Sequence, residues 1–525
     1  MKISAATLLL LSSSFGNVRG RVVLQGYEDD AYCAPGSCLL YKNPHGLLGE
    51  SRSNVWKCYD EKTGNTSEAV WTGSKSDVKP PNGWTKTEKC QDSGDDKKNK
   101  MDPADQQKFA DELTTSLYSK PNECTSSLSV SMVFSLLYPG ATNDGIAAMR
   151  NTLGYPDGSN MQLVWQETSE RMLKSANGTC LIKSDNDGTC VYEAPLLKFA
   201  NSIWLDKSET LNKDYEEIVG EYVMQADFES PDSSTRVNEW VNKSTNGLID
   251  SIVPQGKPLT PALLAINSIY LKAKWSDPTL FRAENTKVDA FYASPSRSKN
   301  VSDAQFMSTV KFFHYSHDAL KGYQTISLPL AESSMSMLFV LPLADGAGAV
   351  NTTDVIGAYD KLESTRVALS LPKFNFKSKY EKDLKEALIA LGLKALFTGS
   401  SESLCGLDFS CLSISSVIQK TSIAVDEKGV EAAATTVVKM MTSAFPPTDP
   451  PILMKLDHPF QFFVFDEKEK LTLFEGRLGL PEAPSPSTPL LDAKRFDSDF
   501  WQVNFGVNPV DPPAPVDTTS VLQSW

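Results

Sequence analysis

The sequence predicts an α+β fold, with helices and strands mixed rather than alternating in βαβ order. Two observations carry this. Apolar, strand-like runs occur at LLAINSIYLK (263–272), MSMLFVLPL (335–343), VALSLPKFNF (367–376), PFQFFVFD (459–466) and LTLFEG (471–476). Stretches with helical spacing, TRVNEWVNKST (235–245) and EKDLKEALIALGL (381–393), fall among them. A third, the length of 525 residues, exceeds one ordinary core and divides the chain into several parts.

In chain order, residues 1–20 place Lys2 before a short apolar run and then small residues, the layout of a secretory signal peptide. The run is too short to span a bilayer, which needs about 20 apolar residues. Residues 21–90 hold Cys33, Cys38, Cys58 and Cys90 together with Trp56, Trp71 and Trp84. So small a module needs disulfides, and its tryptophans form either its core or a carbohydrate-binding face. Residues 91–101 are a polar linker. Asp102 and Pro103 then open a helix, a capping acid followed by proline, and Phe109, Leu113 and Leu117 share one face of it. After this domain, 102–481, the stretch 482–525 is rich in proline, without sustained periodicity, and reads as a tail largely disordered or draped.

The bulk properties exclude several functions. A formal charge of −14 disfavours nucleic acid and anionic membranes as partners. Nine cysteines suit the oxidising route; Cys180/Cys190 and Cys405/Cys411 are each close enough to close a short loop, which leaves Cys124 as a buried free thiol. Five Asn-x-Ser/Thr sequons (Asn65, Asn177, Asn242, Asn300 and Asn351) are compatible with a secreted glycoprotein. No metal and no cofactor are expected: four histidines form no ligand cluster, and there is no nucleotide loop, nucleophile elbow or His-Glu-x-x-His. The chain reads as a non-enzyme.

Several segments, in this order, resemble the serpin family over residues 102–481. SSLSVSMVFSLLYPGAT (126–142) is similar to the family's second helix, which starts under the main sheet with Ser126 and Ser129. NSIYLKAKW (267–275) resembles the strand and tryptophan, Asn267 to Trp275, at the top of that sheet. LSLPKF (369–374) resembles the strand facing the reactive-loop base, and HPFQFFVFDEKEKLTLFEGRL (458–478) the C-terminal hairpin. Two departures stand out: Ser127 replaces a usual proline, and Gln419 replaces a histidine that often bonds the asparagine matched by Asn267. An amide can still donate to that asparagine.

The resemblance implies a serpin fold with a large central sheet, two further sheets and an exposed reactive-centre loop at VDEKGVEAAATTVVKMMTSAF (425–445). Its hinge is Glu427, Gly429, Val430, Ala432, Ala433, Ala434 and Thr436. Every second residue from Val430 gives Val430, Ala432, Ala434, Thr436, Val438 and Met440, uncharged and fit to face a core. The alternate set carries both charges, Glu431 and Lys439. An inhibitory member is implied: a secreted, monomeric suicide inhibitor whose cut loop inserts into the sheet. The alternative is a non-inhibitory carrier or binding protein on the same scaffold.

Family spacing from Glu427 falls on Ser443, so the bait bond is Ser443-Ala444, suited to an elastase- or subtilisin-like serine protease. Met441-Thr442 (chymotrypsin- or elastase-like) and Lys439-Met440 (trypsin-like) are alternatives, because the loop is longer than usual. Glu427 and Lys373 match the family's bridge at the loop base, and Trp275 packs beside it.

Overall fold

The computed structural model describes residues 101–156, 161–172, 180–183, 190–193, 196–247, 249–259, 263–345, 349–398, 403–408, 411–430, 449–481 and 499–513, with short strands between 31 and 86. The signal-peptide assignment, residues 1–20, and most of the linker lie outside the described residues. The chain separates into two compact units, Met1–Lys97 and Lys98–Trp525. In the first, Ala31–Cys33 pairs with Val70–Trp71 and Thr85–Lys86, and Ser37–Lys42, Val55–Asp60 and Thr66–Glu68 form a three-stranded antiparallel sheet.

The second unit opens with helix α1, Pro103–Leu117. Asp102 caps it, accepting the Ala104 N–H at 2.9 Å, and Phe109, Leu113 and Leu117 are buried on one face. Helix α2, Ser127–Leu137, is buried along its whole length, as its apolar SLSVSMVFSLL demands.

Among the described residues of this unit, fifteen strands build two sheets, and Cys180–Lys183 pairs with Cys190–Glu193 as a separate hairpin. The sheet strands are β1 (Glu123–Thr125), β2 (Leu196–Asp206), β3 (Val223–Ala226), β4 (Leu263–Lys274), β5 (Lys287–Tyr292), β6 (Asn300–Asp318), β7 (Tyr323–Pro329) and β8 (Met335–Pro342). There follow β9 (Glu363–Pro372), β10 (Phe374–Tyr380), β11 (Ile414–Asp426), β12 (Gly429–Val430), β13 (Ile452–Lys455), β14 (Phe460–Asp466) and β15 (Leu471–Leu478). The central sheet has the order β3-β2-β4-β12-β11-β10, and the larger, nine-stranded sheet runs β13-β9-β6-β7-β8-β14-β15-β1 with β5 added to β6. All five strand-like runs read from the sequence lie within or across these strands.

The sequence of each strand explains its place. Residues Leu263–Leu271 of β4 are buried without alternation, as a strand covered on both faces must be. Behind the sheet lies α2. In front, Val237 and Val241 of the helix Asp232–Ser244 pack in one apolar cluster with Trp204, Leu264, Ile266 and Ile418. A disulfide joins Cys405 to Cys411, and Cys124 is a free, buried thiol.

In the tail, Phe500–Phe505 is helical and Val510 bridges to Ile452, so this stretch of 482–525 has structure that its lack of periodicity did not suggest.

Candidate functional site

The site is a slot in the central sheet between β4 and β11. Its lower part is closed, with the two strands in parallel register from Leu263↔Ile414 to Ile269↔Thr421. At the top, β12 is wedged between them: Val430 lies opposite Ala273 of β4 and Val425 of β11, and Gly429 opposite Lys274 and Asp426. Val430, Ala273 and Val425 belong to the same buried core cluster, so the alternate set that starts at Val430 begins on the inward face.

The backbone of β12 requires glycine at 429. Its φ is +145°, and an added Cβ would sit 2.2 Å from the Ala273 carbonyl oxygen. Next to it, Glu427 Oε2 lies 3.0 Å from Lys373 Nζ, and Oε1 accepts the Thr286 hydroxyl at 2.8 Å. Burial alone would raise the Glu427 carboxyl. The hydrogen bonds from its own backbone, Thr286 and Lys373, with the lysine charge, outweigh that and hold it below its ordinary value. Trp275, buried, donates its indole N–H to the Asp426 carbonyl at 3.0 Å and packs edge-on to Phe281. These contacts fasten the top of the slot.

Below, a fully buried polar network joins the two strands to α2. Gln419 Nε2 donates to Asn267 Oδ1 at 2.6 Å and to the Ser126 carbonyl at 2.8 Å. Gln419 Oε1 accepts from Thr125 and from the Ser126 N–H. Asn267 Nδ2 donates to Ser129 and to Asn201 Oδ1, and Ser126 caps α2 by accepting the Ser129 N–H at 3.1 Å. An amide thus joins the two strands here, with both of its ends used. Of the sequence-predicted residues, Ser126, Ser129, Asn267 and Gln419 meet here, while Glu427, Gly429, Val430, Trp275 and Lys373 meet at the top. Ala432, Ala433, Ala434, Thr436, Lys439, Met440, Met441, Thr442, Ser443 and Ala444 lie outside the described residues.

Sequence reading missed Asn201 and Thr125, which complete the network from other strands. It also missed Glu475 on β15. This carboxylate, 1% exposed, accepts the Ser127 hydroxyl at 2.8 Å and the Ser127 N–H at 3.3 Å, at the start of α2. A proline at 127 would supply neither donor. Burial pushes the Glu475 carboxyl up to about 8, against the lowering effect of the Ser127 bonds. A single carboxylate inside the apolar LTLFEG was the available signal.

The upper end of the slot thus holds a two-residue strand hydrogen-bonded to both of its neighbours. A family model described as "Serpin (serine protease inhibitor)" matches residues 104–481. The chain is a serpin. It is similar to serine protease inhibitor 42Dd of Drosophila melanogaster, 29% identical over 70% of this chain and 94% of that protein. The fold matches the native-state crystal structure of the thermophilic serpin tengpin, with a TM-score of 0.57 over 72% of this serpin and 93% of that chain at 24% identity. It also matches human thyroxine-binding globulin complexed with thyroxine, with a TM-score of 0.57 over 72% and 99% at 19% identity. The last two likenesses concern the fold alone. Among the described residues of the serpin, no group of His, Cys, Asp and Glu could hold a metal ion.

Proposed function

We propose that this serpin is a secreted suicide inhibitor of serine proteases of the elastase, subtilisin or chymotrypsin type. Secretion rests on the signal-peptide layout of residues 1–20. The observation that carries inhibition is the register of β12. Continued past Val430 on both neighbours, it sets Ala432 opposite Leu271 and Ile423, Ala434 opposite Ile269 and Thr421, and Thr436 opposite Asn267 and Gln419. The partners so reached, Ile269 with Thr421 and Asn267 with Gln419, are those now paired with each other, so one new strand can enter without a shift. The one polar residue of the inward set meets Asn267 and Gln419, the pair on that face in which both members are polar. Small side chains, Ala432 and Ala434, meet Leu271, Ile423, Ile269 and Thr421, and the inward set itself carries no charge.

The mechanism follows from that fit. The target's serine attacks the bait bond, Ser443-Ala444 by family spacing, and forms an acyl-enzyme; the nucleophile, base and oxyanion hole are the protease's. The freed loop extends β12 down the slot, adding hydrogen bonds on both sides at roughly 0.5–1.5 kcal/mol net each. Ten residues carry the attached enzyme on the order of 33 Å.

The test is to mix the mature protein with elastase-, chymotrypsin-, subtilisin- and trypsin-like proteases. Boiled denaturing gels then seek a covalent complex, and mass spectrometry finds the cut. A complex cut at Ser443-Ala444 is expected. Clean cleavage that leaves every protease active would sink inhibition and favour a carrier.

A further inference from the structure

The larger sheet ends at β13, a four-residue strand paired on its inner side with β9 from Val367↔Ile452 to Ser370↔Lys455. Its outer side is covered by a segment beyond the family match. The Val510 N–H donates to the Pro451 carbonyl at 2.9 Å, and the Leu453 N–H donates to the Val510 carbonyl at 2.8 Å. This makes a parallel bridge between Val510 and Ile452.

The local sequence builds this contact. Phe500, 3% exposed, anchors a short helix, with the Trp501 and Phe505 rings 5.2 and 6.0 Å from its own. Gly506, at φ +66°, ends the helix, its N–H bonded to the Gln502 carbonyl at 3.0 Å, and turns the chain. Pro509, Pro512 and Pro513 flank the bridge and carry no N–H, so the added edge offers few donors to a further strand.

β13 is also the first strand after the reactive loop, which is tethered by β12 at one end and by β13 at the other. For uncut chain to fill the slot, residues 431–440 must run roughly 33 Å down the sheet. Residues 441–451 must then return over a similar distance, close to their fully extended reach of at most about 40 Å. That pull falls on Ile452. An edge strand of four residues held from one side is the weak point of this connection.

We propose that the segment around Val510 is a strap that holds β13 in place, so that the loop enters the central sheet only after it has been cut. The proposal rests on the loop-insertion reading above. It needs no partner or ligand, only the two backbone bonds of Val510.

Hydrogen exchange of the full-length, uncut protein tests it at the Leu453 amide, whose acceptor is Val510. Two variants are compared with the parent: Val510→Pro, which removes one bond of the bridge, and a chain ending at Ser498, which removes the strap. Val510→Pro is expected to exchange Leu453 about ten-fold faster, the loss of roughly one net hydrogen bond, and the shortened chain faster still, having lost both. Both are also expected to convert on warming, uncut, to a heat-resistant and uncleavable form about ten-fold faster than the parent. Equal exchange at Leu453 in all three proteins would overturn the strap. Faster exchange without faster conversion would overturn its role as a brake. Failure of the inhibitor reading shows separately, as a freshly purified parent that forms no protease complex and gains no heat stability when nicked.

Discussion

Glu475 sets a pH dependence that can be worked out from one side chain. Its folded value of about 8 stands above the ordinary 4.5 for glutamate, so the folded chain holds a proton that the unfolded chain releases between those limits. The contribution is fully present below about pH 4.5, declines as pH rises, and is lost above about 8. Around it, the Ser127 donors favour the carboxylate and Asp111 opposes it. Glu475→Gln should therefore match the parent near pH 4.5 and be more stable at pH 9, by on the order of a few kcal/mol; thermal unfolding at the two pH values measures it. Gln419→Ala acts differently, stranding Asn267 Oδ1, the Thr125 hydroxyl and the Ser126 N–H in a dry interior. A loss of about 2–4 kcal/mol in urea unfolding is expected. In the loop, Ala434→Glu should leave the fold intact and convert inhibitor to substrate, because by the register its charge would face Ile269 and Thr421. Stable complexes formed as efficiently as by the parent would refute insertion.

Elements differ in how far their sequence announces them. β4 was legible because burial on both faces leaves a run of apolar residues, and α2 through its likeness to a family segment, whereas polar residues interrupt β11, ISSVIQKTSIAVD, and it gave no strand-like run. Asn267 and Gln419 were found from family motifs. Asn201 and Thr125 were not, since their roles depend on which strands become neighbours, and no spacing along the chain encodes that. The Val510 bridge is harder still, being made of backbone groups alone and independent of any side-chain pattern. The hinge strand β12 gives a prediction at this scale. Gly429→Ala must push against the Ala273 carbonyl and adopt a backbone angle unfavourable to alanine. It should cost about 1–3 kcal/mol and loosen β12 from the slot, read as a lower thermal midpoint and faster proteolysis near Val430.

The whole molecule is proposed to have two stable forms, before and after the loop is cut. A ten-residue strand between β4 and β11 would add bonds along both edges, each worth roughly 0.5–1.5 kcal/mol net. Nicking the loop should then raise the thermal midpoint by tens of degrees, at a few degrees per kcal/mol for a domain of this size; calorimetry before and after cleavage checks it. An unchanged midpoint would mean that the loop stays out. The helix Asp232–Ser244 bears on the speed of that change. It lies across the lower front of the slot, clustered with Leu264 and Ile266 on one side and Ile418 on the other. On the proposed mechanism a strand arriving between those residues would have to part them beneath the helix, and to do so before water released the bound protease. The outcome of each encounter would then be a race between two clocks, one in the target's deacylation and one in the grip of Val237 and Val241 on the sheet. Trimming those two valines would tilt the race toward capture while weakening the resting fold.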